Sequence, residues 1–342
     1  MVTCGAPMAL ELPGWAESLV EACQSSGEDV DTAVNLAEHY GRLLPQPGCG
    51  QTAQRWAVLA AAGEHNLTVA RVLEAHSDAL AILAEADESV PDGTWGVFAA
   101  EAAPHRLEAH DRNGHAVLTG VKPWCSLAGR LDSALVTARV GDGRQLFRVS
   151  LRHPSVTPEA PGAWVARGLR NVTSAAVRFD GTPADPVGAP GWYLARPGFA
   201  WGGMGVAACW HGGARGLQAT LARRSAGRAG ELASLHVGIV DAGLHASESV
   251  LAGAAAAIDA GTAEDTAGET LGLRVRAVVA SVVERTIGQV GHALGPAPLA
   301  FDDDHARRVA DLELYVRQHH AERDLARLGS AVLAGHSDRN SS

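Results

Sequence analysis

The chain has 342 residues, 46% apolar and 19% charged, which is the balance of a soluble globular protein with room for two or three packed units. A formal net charge of −10 without a basic stripe excludes nucleic acid as the main partner. No apolar run approaches the length of a membrane span, so no membrane partner is expected.

The first residues, MVTCGAPMALELPGW, lack a basic n-region and a long apolar h-region, so no signal peptide is read and a cytoplasmic location is expected. Cys4, Cys23, Cys49, Cys125 and Cys209 are odd in number and have no CxxC spacing. Reduced, mostly buried thiols are expected, with neither a disulfide framework nor a metal site.

Up to residue 92 the chain is rich in Ala, Leu and Glu with helical periodicity. Residues 44–52, LPQPGCGQT, hold two prolines and two glycines and read as a loop. From Asn66 onward, Val69, Leu73, His76, Leu80 and Leu83 recur at helical steps and form one apolar face. In that stripe, the ordinary role for His76 is a satisfied core histidine.

Over 93–198 short runs with β-branched residues (WGVFAAE, HAVLTGVKPW, SALVTARV, QLFRVSL, TSAAVRFD) alternate with turn residues such as Arg112-Asn113-Gly114 and Gly141-Asp142-Gly143. That spacing predicts a small barrel or sandwich. Over 199–335 helical patterns cover Val206–Arg224, Glu231–Ala260, Ala267–Gly288 and His305–Leu328, with breakers at Gly227, Gly261 and Gly291–Pro298. Four such helices predict a bundle. His336–Ser342 reads as a frayed polar tail.

Within the β region, Gly120, Lys122, Trp124 and Ser126 fall at a spacing that resembles the flavin-facing strand of the acyl-CoA dehydrogenase superfamily, G-x-K-x-W-I-[ST]-N. Cys125 and Leu127 replace its isoleucine and asparagine. The side-chain period of two would put Lys122, Trp124 and Ser126 on one strand face. There an indole can shield the isoalloxazine and a hydroxyl can bond its polar edge. Residues 168–193, GLRNVTSAAVRFDGTPADPVGAPGWY, resemble the segment that closes the family's barrel. Gln289 and Gly291 loosely match the residues that hold the pyrophosphate of a neighbouring subunit's FAD, with a helix-ending glycine as the plainer reading of Gly291. The resemblance implies an α+β fold with an N-terminal helical domain, a middle β-barrel and a C-terminal four-helix bundle. It also implies FAD and a homodimer or homotetramer, or a heteromer with a homologue.

Three motifs of the family are missing. The [ST]-E-P-x-A-G-S-D loop has no counterpart in WGVFAAEAAPHRLEAH, which puts CoA binding in question. No R-x-x-F-G follows Arg223-Arg224. The catalytic glutamate of Y-E-G-T is absent from Tyr315-Val-Arg-Gln-His-His320, where Arg317 stands nearest its place. No carboxylate occupies the alternative position near Val206 either.

Other proton-handling groups must then be sought. On a helix running through this region, His320 would share a face with Val316 and Asp324, an inward His–carboxylate pair suited to acid/base work. His319 would share one with Tyr315. An exposed helix end laced by polar contacts is the plainer alternative. In flavin monooxygenases of the superfamily, histidines on an N-terminal helix and on the last bundle helix flank the flavin's reactive carbon, which would join His76 to His319 and His320.

The leading expectation is an FAD-dependent acyl-CoA dehydrogenase-like oxidoreductase acting on CH–CH groups of an acyl thioester, CoA- or carrier-linked, or a related small carbonyl compound. A flavin monooxygenase of the same fold and a flavin-free scaffold or partner subunit are the alternatives.

Overall fold

The computed structural model describes residues 11–159, 162–226 and 230–340. The readings of the first ten residues with Cys4, of Gly227 and of Ser342 lie outside the described residues.

Four helices come first: α1 (Ala16–Ser25), α2 (Val30–Gly41), α3 (Thr52–His65) and α4 (Leu67–Glu85). Asn66 starts α4. Its side-chain oxygen accepts from the backbone N–H groups of Thr68 and Val69 at 3.0 and 3.2 Å, which satisfies two donors of the first turn. The apolar stripe from Val69 to Leu83 is buried as its period requires. Leu80 and Leu83 pack on Trp95, Leu135 and Val187 of the sheet.

The seven strands are β1 (Trp95–Phe98), β2 (Leu107–Arg112), β3 (His115–Lys122), β4 (Ser133–Val140), β5 (Gly143–Ser150), β6 (Val156–Pro158) and β7 (Val177–Val187). Pairings run β4–β5–β7–β3–β2 and return to β4 through Glu108 and Arg139, so the sheet closes on itself. Closure removes the exposed edges that an open sheet of this size would carry. The β2–β3 hairpin turns on Asn113 and Gly114, both left-handed at φ 58° and 82°, the geometry whose twist suits a two-residue hairpin.

The remaining helices are α5 (Trp192–Ala195), α6 (Pro197–Ser225), α7 (Glu231–Asp259), α8 (Asp265–Leu294), α9 (Ala297–Phe301), α10 (Asp303–Tyr315) and α11 (Glu322–Asn340). One expectation fails here. The helix expected over His305–Leu328 is cut by a 3₁₀ turn, Val316–Gln318, and by Ala321 at φ +46°. Asp324 reaches back to accept from the His320 backbone N–H at 3.0 Å, starting α11 as a separate helix. That helix runs to Asn340, so most of the expected frayed tail is helical.

Two glycines set the closest helix approach. A methyl on Gly63 of α3 would overlap the Cys209 carbonyl of α6, and one on Gly212 of α6 would overlap the Ala60 carbonyl of α3. The two backbones therefore touch with no side chain between them. No helix of the described residues is long and apolar enough to cross a membrane.

Gly212→Val should lower the unfolding free energy by about 1–3 kcal/mol through overpacking. Gly291→Ala should leave it equal or higher, because that glycine has open space around it. Urea denaturation of both variants checks the contrast.

Candidate functional site

At about 100° per residue, Arg71, Glu74, Asp78 and Glu85 of α4 fall within about 60° of arc. His76 stands about 140° round the helix from Arg71. One helix thus carries an apolar face toward the sheet and a charged face toward α6, α8 and α10.

The charged face is bonded across the fold. Glu74 pairs with Arg71 at 2.8 Å, and the same Glu74 Oε2 accepts from the Tyr315 hydroxyl at 3.1 Å. Arg71 also donates to Ser126 Oγ at 3.2 Å, in the loop after β3. Burial pushes the Glu74 carboxyl up, against the pull of Arg71, and holds the Tyr315 hydroxyl well above its ordinary value. Tyr315 stands edge-on to Trp210 of α6, with centroids 6.3 Å apart. The Arg276 guanidinium of α8 lies 4.8 Å from the centre of the Trp210 ring. It donates to the Gly203 and Gln318 carbonyls at 2.7 Å each. Arg276 therefore fixes the 3₁₀ turn against the start of α6.

The three residues around the expected glutamate position separate. His320 pairs with Asp324 at 3.4 Å, but its side chain is 62% exposed, so the expected inward pair faces solvent. The helix break is the cause, because it turns His320 out of the register with Val316. Arg317 also points outward and pairs with Glu284. His319 is half-buried, the least exposed of the three. Its Nε2 is enclosed without a protein partner, and burial, helped by Arg276, lowers its pKa below the ordinary histidine value. Its ring is thus neutral near pH 7.

The expected strand face does not form. β3 ends at Lys122, since Pro123 has no N–H to continue the ladder, and Trp124 is left-handed at φ +60°. A bulky residue there is strained, which marks functional sites more than ordinary turns. Lys122 is buried, donating to Glu101 at 2.6 Å and to Thr137 at 2.8 Å. Ser126 Oγ shares a 2.8 Å hydrogen bond with Ser174. Trp124 is 53% exposed and stands edge-on to Trp164, with ring centroids 6.4 Å apart. A water-sized cavity of about 10 Å³ lies beneath the Arg71–Ser126 contact.

Solved proteins share the overall fold of this chain. KijD3, solved with FMN and dTDP-3-amino-2,3,6-trideoxy-4-keto-3-methyl-D-glucose, superposes at TM-score 0.78 with 17% identity, over 97% of each chain. FMN-bound TdsC from Paenibacillus sp. A11-2 gives 0.77 and 15%, over 94% of this chain and 96% of its own. Butyryl-CoA dehydrogenase from Megasphaera elsdenii gives 0.75 and 15%, over 95% and 100%. The chain has the acyl-CoA dehydrogenase fold. No protein-family pattern matches its sequence, and no curated protein does.

On that fold, the residues divide in their fit to a flavin. The exposed Trp124 indole, the Ser126 hydroxyl and the enclosed, unpartnered Trp164 Nε1 suit a flat ring with a polar edge. The expected pyrophosphate residues suit it less. Gln289 Oε1 is engaged by His236 at 2.7 Å, and Gly291 sits in the last turn of α8 with no close neighbour to require a glycine. His76 faces the other way. Its Nδ1 accepts from the Trp95 backbone N–H at 3.1 Å, and its ring abuts Gly41, so it is not brought to His319. Among the described residues no cluster of His, Cys, Asp and Glu could hold a metal, and Cys23, Cys49, Cys125 and Cys209 are free thiols, all buried but Cys49.

Burial lowers the His76 pKa from 6.5 to about 4. Between those values the unfolded chain binds a proton that the folded chain does not, so stability is full above about 6.5 and falls as pH drops toward about 4. From pH 7 to pH 5, wild type should lose about 2 kcal/mol more than His76→Gln, read from urea midpoints at each pH.

Proposed function

We propose that the chain is a flavin-dependent oxidoreductase in which the isoalloxazine lies on Trp124 and His319 handles the substrate's proton. The observation that carries this reading is the exposed, left-handed Trp124, a large flat side chain held in a strained turn beside the charged junction. A bound flavin supplies a two-electron acceptor that no side chain of the protein can replace. Trp124 covers one face of the ring and keeps water from it, while Ser126 orients its polar edge. The Arg71–Glu74–Tyr315 chain holds Ser126 and the 3₁₀ turn at a fixed distance.

His319 takes the part that a glutamate plays in the acyl-CoA dehydrogenases. It is half-buried, neutral near pH 7, and unpartnered at Nε2, so in the tautomer that leaves Nε2 bare it accepts a proton from substrate. CH–CH oxidation of an acyl thioester or related carbonyl compound needs such a base. A second reading, oxygen activation on the same flavin, is favoured by the missing carboxylate at residues 316–321. FMN and FAD both fit the Trp124 half of the site. FAD additionally needs a cradle for its adenylate half, for which we propose a second copy in a homodimer or homotetramer. Exposed Leu232 and Leu235 on α7 would gain cover in such an assembly.

Trp124→Ala should weaken flavin binding at least tenfold, measured by fluorescence titration. His319→Ala should retain flavin but slow turnover by about 10²–10⁴. Flavin affinity unchanged in Trp124→Ala would remove the reading. Bleaching by substrate without air marks the dehydrogenase, and oxygen consumption by the pre-reduced protein marks the oxygenase.

A further inference from the structure

The hydroxyls beside Trp124 form a hydrogen-bond chain with a direction. Arg71 donates to Ser126 Oγ at 3.2 Å, and a guanidinium has no acceptor to offer in return. Ser126 Oγ and Ser174 Oγ lie 2.8 Å apart, and Ser174 Oγ donates onward to the Val172 carbonyl at 3.1 Å. One end of the chain can only give and the other can only accept, which fixes both hydroxyls between them. The Ser174 proton goes to Val172, and the Ser126 proton goes to Ser174. Reversing the serine pair would forfeit the bond to Val172.

The backbone holds this chain in place. The N–H groups of Cys125 and Leu127 donate to the Ala175 and Thr173 carbonyls at 3.0 and 2.7 Å, so the two serine-bearing segments are laced together. Glu74 holds Arg71 from the other side at 2.8 Å. The Ser126 backbone N–H is committed as well, donating to the Trp124 carbonyl at 3.2 Å. What half-buried Ser126 still offers a ligand is therefore a lone pair on Oγ and no proton.

We infer that Ser126 selects the redox state of the flavin: fixed as an acceptor, it takes a hydrogen bond from N5–H of the reduced ring, and the site holds reduced flavin more tightly than oxidised. The inference rests on the proposed flavin site. In oxidised flavin N5 carries a lone pair, which would face Ser126 acceptor to acceptor. In the two-electron-reduced ring N5 carries a hydrogen, and the same contact becomes a bond. N5 is the nitrogen assigned because Ser126 is joined through Arg71, Glu74 and Tyr315 to the turn that carries His319, the side on which the proposed reading places the substrate. Ser174 is then a positioning residue, since it acts only by taking the Ser126 proton.

The test titrates the whole protein without air, following tryptophan fluorescence, with oxidised FMN and with photochemically reduced FMN. Wild type should bind reduced FMN about tenfold more tightly, one bond made against one acceptor left unmet. That ratio raises the midpoint potential of bound FMN by about 30 mV over free FMN. Ser126→Ala should weaken reduced FMN about tenfold and leave oxidised FMN bound equally or better. Ser174→Ala frees the Ser126 proton for the N5 lone pair, so it should strengthen oxidised FMN roughly fivefold. A merely structural role for Ser174 would weaken both states alike. Oxidised FMN preferred by wild type, equal loss of both states in Ser126→Ala, or joint weakening in Ser174→Ala would each overturn the inference and leave the flavin site standing. No binding of either state would remove the flavin site and the inference together.

Discussion

The Arg71–Glu74 pair is the contact on which the site depends. Two charges taken from water inside a helical junction are costly unless each finds further partners. Arg71 finds Ser126 in the loop after β3, and Glu74 finds the Tyr315 hydroxyl at the end of α10. The same pair thereby ties the barrel and the last bundle helices to α4. Removing either partner would leave a buried charge and loosen both ties together. The cost of burying the pair is offset by the register it imposes on three parts of the chain.

Around that pair the acyl-CoA dehydrogenase fold is kept without several of that family's sequence motifs. The helical layers, the closed barrel and the bundle are kept at about one identical residue in six. The glutamate, the Gly-Ser-Asp loop and the Arg-Phe-Gly run are gone. In the glutamate's region the chain carries a helix break, one half-buried histidine and two outward-facing residues. A fold survives such changes because backbone packing, as at Gly63 and Gly212, specifies it. A reaction depends instead on particular atoms within reach of one another.

Much of the architecture was legible from local rules. Asn66 before a helical stripe, Asn113-Gly114 between strands, and proline with glycine over 44–52 each act through a few neighbouring residues. β2 escaped because His110, Asp111 and Arg112 carry no apolar alternation. The site was less legible. Lys122, Trp124 and Ser126 looked like one strand face, but Pro123 ends the ladder between them. Nothing near His319 announces a helix end: the break depends on Arg276, distant in sequence, and on Asp324 reaching back. The charged stripe was visible in the spacing of Arg71, Glu74, Asp78 and Glu85. Charges on a helix are ordinarily read as a solvated face, and only the packing of α6 and α10 over them makes that reading wrong here.

The central claim is that Trp124 and the junction beside it receive a flavin. The most direct measurement is the visible absorption spectrum of the purified protein, repeated after excess FMN or FAD and desalting. The account predicts a retained flavin band that falls away in Trp124→Ala. No band after either flavin is supplied would contradict it and leave the chain as a flavin-free partner on an enzyme's fold.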